Sequence, residues 1–188
     1  MCIRDSYYHH QIEAMKQAFS DTTAYVSDSS HMKVTLENLL DVDYLQARRK
    51  EIDGCARERV HGDLPKGGTV YLATADNEGN MVSYIQSNYM GFGSGVVVPD
   101  TGIALQNRGH NFSLDEDHPN YIGGNKKSFH TIIPGFITKD KQPVGPFGVM
   151  GGFMQPQGHL QVAMNLIDHG MNPQSALDAP RWQFMEGL

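Results

Sequence analysis

The chain has 188 residues, enough for one ordinary domain with a real core, and its 39% hydrophobic content, 20 glycines and 9 prolines describe a loop-rich globular protein. Its 15 Lys and Arg against 21 Asp and Glu give a formal charge of -6, and no basic run with interleaved aromatics occurs, so nucleic acid is not an expected partner. Two distant cysteines, Cys2 and Cys55, form neither a disulfide framework nor a zinc spacing, and no apolar run approaches the roughly 20 residues of a membrane span.

Residues Met1 to Ser6 carry no periodicity and enter directly into a helical pattern, so the true N-terminus is expected to lie upstream. Tyr8, Ile12, Met15 and Phe19 recur at three and four residues and predict one apolar helix face. The small and β-branched residues of DTTAYVSDSSHM predict a break, Thr35 a helix cap, and Val42 to Ile52 a further helix with acids at its start. Residues 1 to about 58 thus read as all-helical.

The character changes at His61. GDLPKGG is a breaker-rich link, after which TVYLATAD and NMVSYIQS predict strands joined across Asn77-Glu78-Gly79-Asn80, with Gly79 placed for positive φ. Both faces of the first strand are largely apolar, which predicts burial on both sides. GFGSG (residues 91 to 95) reads as a flexible segment, and Phe129 to Ile137, split by Pro134-Gly135, as a strand pair or bent strand. A loop follows Gly151-Gly152, then a helix from Leu160 to His169 and a helical turn capped by Asn172 with Pro173 at its first position. The ending RWQFMEGL supplies no stop signal, so both ends are expected to be cut.

A threonine after Gly67-Gly68, opening a strand, combines features that one chemistry needs. If the Gly68–Thr69 bond is cut, the freed amine of Thr69 lies beside its own hydroxyl and can act as general base, having an ordinary pKa of about 7.7 to 8. The glycines permit the backbone distortion of an N-to-O acyl shift. From the residues alone, Thr69 reads first as a β-branched residue that starts a strand, and Gly151-Gly152 as a turn.

GGTVYLATADNEGNMVSYIQS, GFGSGVVVPDTGIALQNRGHNF, KKSFHTIIP, MGG and ALDAPRW, in this order, resemble successive blocks of the gamma-glutamyltransferase family of N-terminal-nucleophile hydrolases. MKQAFSDTTAYVSD is similar to the end of that family's large subunit. The resemblance implies an α/β (α+β) fold, part of a four-layer αββα sandwich. It divides the chain into residues 1 to 68, the large-subunit end and processing linker, and residues 69 to 188, a truncated catalytic segment.

By the same resemblance a precursor cleaves itself before Thr69, which then forms an acyl-enzyme. Gly151 and Gly152 supply oxyanion N–H groups, and Ser87 is the hydroxyl residue near the nucleophile. Substrate-binding positions fall on Tyr89, Arg108, Asn111, His130 and Thr131. Here the sequence departs from the glutathione-cleaving members. An aspartate that grips the glutamyl amine is replaced by Asn111, two serines that hold the carboxylate by His130 and Thr131, and a glutamine and an asparagine by Arg108 and Tyr89.

The exchange adds a cation and removes an anion, which favours a carboxylate near the scissile amide and dispenses with the α-amino group. YIQSNY, FGSG, QNRG, SFHT and GG followed by QPQG resemble the oxamate amidohydrolase-like branch. The expected substrate is therefore a small carboxylate-bearing amide. A glutathione hydrolase or gamma-glutamyl transferase, and a non-catalytic binding module of the same fold, stand as alternatives. Expected partners are that small molecule and the missing large-subunit portion, with a homo-oligomer of the complete protein left open.

No cofactor is implied. The nine histidines form no HxxxH or HExxH pattern, so no metal site is expected, and Asn111-Phe112-Ser113 is a chance-level glycosylation triplet. No feature addresses location, for which the cytoplasm is the working expectation.

Overall fold

The computed structural model describes residues 3–57 and 68–185. Its contacts group the chain into two compact units, one of Met1–Asp63, Gly109–Phe129 and Phe184–Leu188, the other of Leu64–Arg108 and His130–Gln183.

The first unit is built on α1 (Ile3–Tyr25), α2 (Leu36–Leu39) and α3 (Val42–Lys50). Helix α1 runs six residues beyond Phe19. Thr22 is accommodated because its Oγ1 donates back to the Phe19 carbonyl at 3.2 Å, the local bond by which a threonine can stay helical. The predicted apolar face holds only in part, since Met15 and Phe19 are buried while Tyr8 is 40% exposed. The remainder of the buried surface is polar and includes Gln11, Glu13, Lys16 and Gln17.

What makes this affordable is pairing. Lys16 Nζ donates to Glu13 Oε1 at 2.8 Å and to the Arg57 carbonyl at 3.3 Å, and Glu13 Oε1 accepts the Arg57 N–H at 3.4 Å. The Phe184 ring covers the ammonium at 5.2 Å. The caps follow the local sequence. Thr35 forms a capping box with Asn38 at the start of α2, and Asp41 Oδ1 accepts the Tyr44 N–H at 2.9 Å at the start of α3.

Asn120 organises the loop of residues 109–129. Its N–H, amide and carbonyl meet His118, Asn111, Phe129 and Ser113, which is how a side chain 4% exposed stays satisfied.

The second unit starts with the antiparallel pair β1 (Gly68–Ala75) and β2 (Met81–Tyr89). Asp76 builds the connecting turn by accepting the N–H groups of Glu78 and Asn80, both at 2.9 Å, and Gly79 takes φ 85° as its position requires. The expectation that β1 is buried on both sides is corrected here. Ile85 and Tyr89 of β2 are buried, but Val70 and Leu72 on the opposite face are 68% and 54% exposed. That face has no covering layer among the described residues.

GFGSG, expected as a flexible segment, is tied by backbone hydrogen bonds. Gly93 and Ser94 are tied to the Met90 and Leu105 carbonyls at 2.8 Å, and a Cβ on Gly93 would stand 2.3 Å from the Leu105 oxygen. Glycine serves there for close backbone approach as well as for its φ of 77°.

Residues 131–134 form no strand. Strand β3 begins at Gly135 (Gly135–Lys139) and pairs with β4 (Gln142–Phe147), giving a second two-stranded sheet. Helix α4 (Met154–Ile167) starts six residues before the predicted Leu160, since Pro156 lies in its first turn, where a missing N–H costs nothing. Helix α5 (Pro173–Asp178) is capped as predicted, Asn172 Oδ1 accepting the Ser175 N–H at 2.9 Å.

Candidate active site

The segment His61–Gly67 of the predicted processing link lies outside the described residues. Thr69 is the second residue of β1, immediately after an irregularity in the ladder at Gly68/Thr69, and its register partner across the hairpin is Ser87. Directly opposed residues bring their Cβ atoms to about 5 Å on one face of a sheet, so the two hydroxyl residues are neighbours. Thr69 Oγ1 is buried and has no hydrogen-bond partner among the described residues. Ser87 Oγ accepts the Tyr89 N–H at 2.9 Å and is not bonded to the threonine hydroxyl. An open cavity of about 670 Å3 lies on the Val70 and Leu72 face of the hairpin and is bordered at its end by Thr69, Ser87 and Asn88.

Arg108 is held at the end of β2. Its Nη2 donates to the Ser87 carbonyl at 3.0 Å and its guanidinium stands 5.4 Å from the centre of the Tyr89 ring. It makes no ion pair among the described residues. Burial pulls the Arg108 guanidinium down from its ordinary range, opposed by Tyr89. Tyr89 is 1% exposed and adopts φ 75°, a left-handed conformation that a bulky residue rarely takes. Asn107 fixes this corner, its Oδ1 accepting the Met90 N–H at 3.0 Å and its N–H donating to the Asn88 carbonyl at 3.2 Å. The sequence reading passed over Asn107 and used only the arginine of QNRG.

Gly151 and Gly152 follow β4 with φ 114° and 58°. Their carbonyls accept the Met154 and Gln155 N–H groups at 3.0 Å and so start α4, while their own N–H groups enter no backbone hydrogen bond among the described residues. Two close contacts position this loop. A Cβ on Gly148 would meet the Tyr71 ring at 2.4 Å, and a Cβ on Gly158 would meet Val149 at 2.5 Å. Tyr71 shares the Thr69 face of β1, so the strand of the nucleophile candidate and the glycine loop are packed through one aromatic ring.

Thr131 is 3% exposed, and its Oγ1 is buried without a partner among the described residues. His130 is exposed and its Nδ1 accepts the Ile132 N–H at 3.1 Å. Asn111 belongs to the first unit, where its carbonyl accepts the Asn120 side-chain amide at 2.6 Å. The structure therefore assembles Thr69, Ser87, Tyr89 and Arg108 around one hairpin end, and sets Thr131 and the two glycines in the same unit.

A match to the gamma-glutamyltranspeptidase family runs over residues 2–186. The chain belongs to the gamma-glutamyltranspeptidase family. It is 42% identical over 177 residues to the glutathione hydrolase-like YwrD proenzyme of Bacillus subtilis, covering 94% of the chain and 33% of that protein. It is 39% identical to the oxamate amidohydrolase proenzyme of Klebsiella pneumoniae, with 93% and 33% covered. Among solved structures, a cephalosporin acylase from Bacillus halodurans superposes with a TM-score of 0.89 at 65% identity, over 96% of the chain and 33% of that structure.

The chain thus spans about a third of the length of these family members. Its fold, mixed helix and strand, is a part of the N-terminal-nucleophile hydrolase fold that the family shares.

Proposed function

We propose that this chain is the central part of a self-processing amidase, cut between Gly68 and Thr69 and acting through a threonine acyl-enzyme on a small carboxylate-bearing amide such as oxamate. The observation that carries the proposal is the Thr69 hydroxyl, buried, unpartnered, set just after an irregularity in the strand and opposite Ser87. A buried hydroxyl left without a hydrogen bond costs about 1–3 kcal/mol, a cost that a reacting group can carry for its role.

In the reaction the Thr69 amine takes the proton of its own hydroxyl as Oγ1 attacks the amide carbonyl. The N–H groups of Gly151 and Gly152 receive the oxyanion, the C–N bond breaks with transfer of the proton to the leaving amine, and water then hydrolyses the ester. Arg108, carrying no carboxylate partner of its own, attracts the substrate carboxylate, and Tyr89 and Ser87 hold it in place. His130 and Thr131 complete the pocket. The rest of the precursor covers the exposed Val70 and Leu72 face of the hairpin.

The relatives' names support a choice among amides. A glutathione hydrolase-like protein and a cephalosporin acylase stand beside the oxamate amidohydrolase. The substitution of Asn111 for an aspartate weighs against glutamyl donors, which present an ammonium group.

The test is intact mass on the complete precursor. Wild type yields two fragments meeting at Gly68/Thr69, and Thr69→Ala stays whole and loses at least about 10³-fold in amide hydrolysis. Oxamate, glutathione and a cephalosporin amide are then offered to the processed protein, with oxamate giving the highest kcat/KM. An unprocessed, soluble wild type removes the threonine mechanism and favours a binding module.

A further inference from the structure

Gln155 opens α4 and is 1% exposed. Its Oε1 accepts the backbone N–H of Ile133 at 3.4 Å. That contact fixes the orientation of the amide, because an NH2 group cannot accept an N–H, and it leaves Nε2 as the unused end. Nε2 is buried and has no partner among the described residues.

Two further facts place this orphan donor. The backbone N–H of Gln155 is bonded to the Gly152 carbonyl at 3.0 Å, so the side chain starts one helical turn beyond the two glycines. Thr131, whose hydroxyl is likewise buried and unpartnered, stands two residues from Ile133, within about 7 Å along the chain. One glutamine thereby links the glycine loop to the Thr131 segment through its accepting end while its donating end is left open. Two polar groups buried without partners among the described residues and joined through the Ile133 segment, each at most 3% exposed, are a cost that the described fold does not recover.

We propose that Gln155 is a specificity-determining residue that donates Nε2–H, alongside the Thr131 hydroxyl, to the carboxylate of the substrate. A carboxylate offers about four lone-pair sites and accepts from neutral donors as well as from a guanidinium, so the Gln155 amide and the Thr131 hydroxyl can both donate to one such group. This rests on the amidase reading above. It goes beyond it in assigning to QPQG a chemical role.

Gln155→Glu is the informative variant. It keeps an oxygen for Ile133 N–H and replaces the donor by an acceptor of the same shape, whereas Gln155→Met removes both. Both are made in the complete precursor and assayed at pH 8, well above the ordinary glutamate pKa of about 4.3. For Gln155→Glu the expected result is normal processing at Gly68/Thr69, a KM for oxamate raised about tenfold or more, kcat within about threefold, and loss of oxalate binding by calorimetry.

A Gln155→Glu protein with wild-type KM and oxalate binding, beside a Gln155→Met protein with a lowered unfolding midpoint, would overturn the proposal and leave Gln155 as a strut for Ile133. A fall in kcat with KM unchanged would overturn it as well, by placing the amide at the reacting carbonyl. If wild type neither processes nor hydrolyses but binds oxalate, and Gln155→Glu loses it, the carboxylate subsite stands and the threonine mechanism falls. No oxalate binding by the wild type refutes the subsite.

Discussion

Buried polar groups are treated in opposite ways in the two units. Around α1, Glu13 and Lys16, each with a side chain 2% exposed, satisfy one another and clamp both backbone groups of Arg57, and Asn120 uses every group it has. Around the hairpin and α4, Thr69 Oγ1, Thr131 Oγ1, Gln155 Nε2 and His159 Nε2 are all buried without partners among the described residues. Desolvation is equally costly in both places, so the difference lies in what completes the account. In the first unit it is the fold itself. In the second, three of the four orphans belong to the proposed site, which points to a ligand. The fourth, His159, packs its ring 4.8 Å from Phe147, and burial lowers its pKa, keeping it neutral.

The comparison breaks most visibly in the first unit. Lys16→Met leaves Glu13 buried without its cation, and the expected loss is about 3–5 kcal/mol in denaturant unfolding of the complete precursor. Adding Glu13→Leu should return most of it, since two well-packed apolar groups replace a desolvated pair at little net cost. A single variant as stable as wild type would mean that water reaches the pair and that the first unit is not self-satisfied.

The second unit should answer in the opposite sense. Thr131→Val removes a hydroxyl that has no partner, so stability is expected to stay level or rise by up to about 1 kcal/mol, while KM for oxamate rises about tenfold. A drop of 2 kcal/mol or more in the unliganded protein would show that Thr131 is satisfied within the fold, and the contrast between the units would weaken.

This contrast also marks what the sequence could convey. Features decided within a few residues were legible, including the caps at Thr35 and Asn172, the Asp76–Asn80 turn, and the helical start against a strand-rich middle. Strand β4 was not anticipated; it contains Pro143 and Pro146, which a two-stranded sheet accommodates because it offers the edge positions that proline tolerates. The early start of α4 takes in Pro156 and Gly158, and the Val149 contact explains why a glycine sits inside that helix. Thr69, Ser87, Tyr89 and Arg108 were reached through resemblance, and the ladder register and ring contact then gave them a geometry. Gln155 was not reached. An orphaned amide is a property of tertiary surroundings, and in QPQGHLQ nothing distinguishes Gln155 from Gln161, whose amide is spent on the backbone of Trp182 at 2.9 Å.

The smallest effect sharpens the comparison at an exposed edge of the first unit. Asp28 accepts the backbone N–H of Lys127 at 3.0 Å through Oδ2 and both the N–H and hydroxyl of Ser30 through Oδ1. These donors, the Lys127 amide foremost, hold its pKa at about 2, below the ordinary 3.8. Because the folded value is the lower one, the unfolded chain binds the proton more readily. The contribution is therefore fully present above pH 4 and is lost as pH falls from about 4 to about 2. Asp28→Asn offers one oxygen where the carboxylate offers two, so it cannot accept from both Ser30 and Lys127. Protection of the Lys127 amide in hydrogen exchange should fall severalfold at pH 6 and lose its decline toward pH 3. Unchanged protection in the variant would mean that the Lys127 segment is held by its neighbours, and that pairing at this edge is a consequence of the fold and not one of its supports.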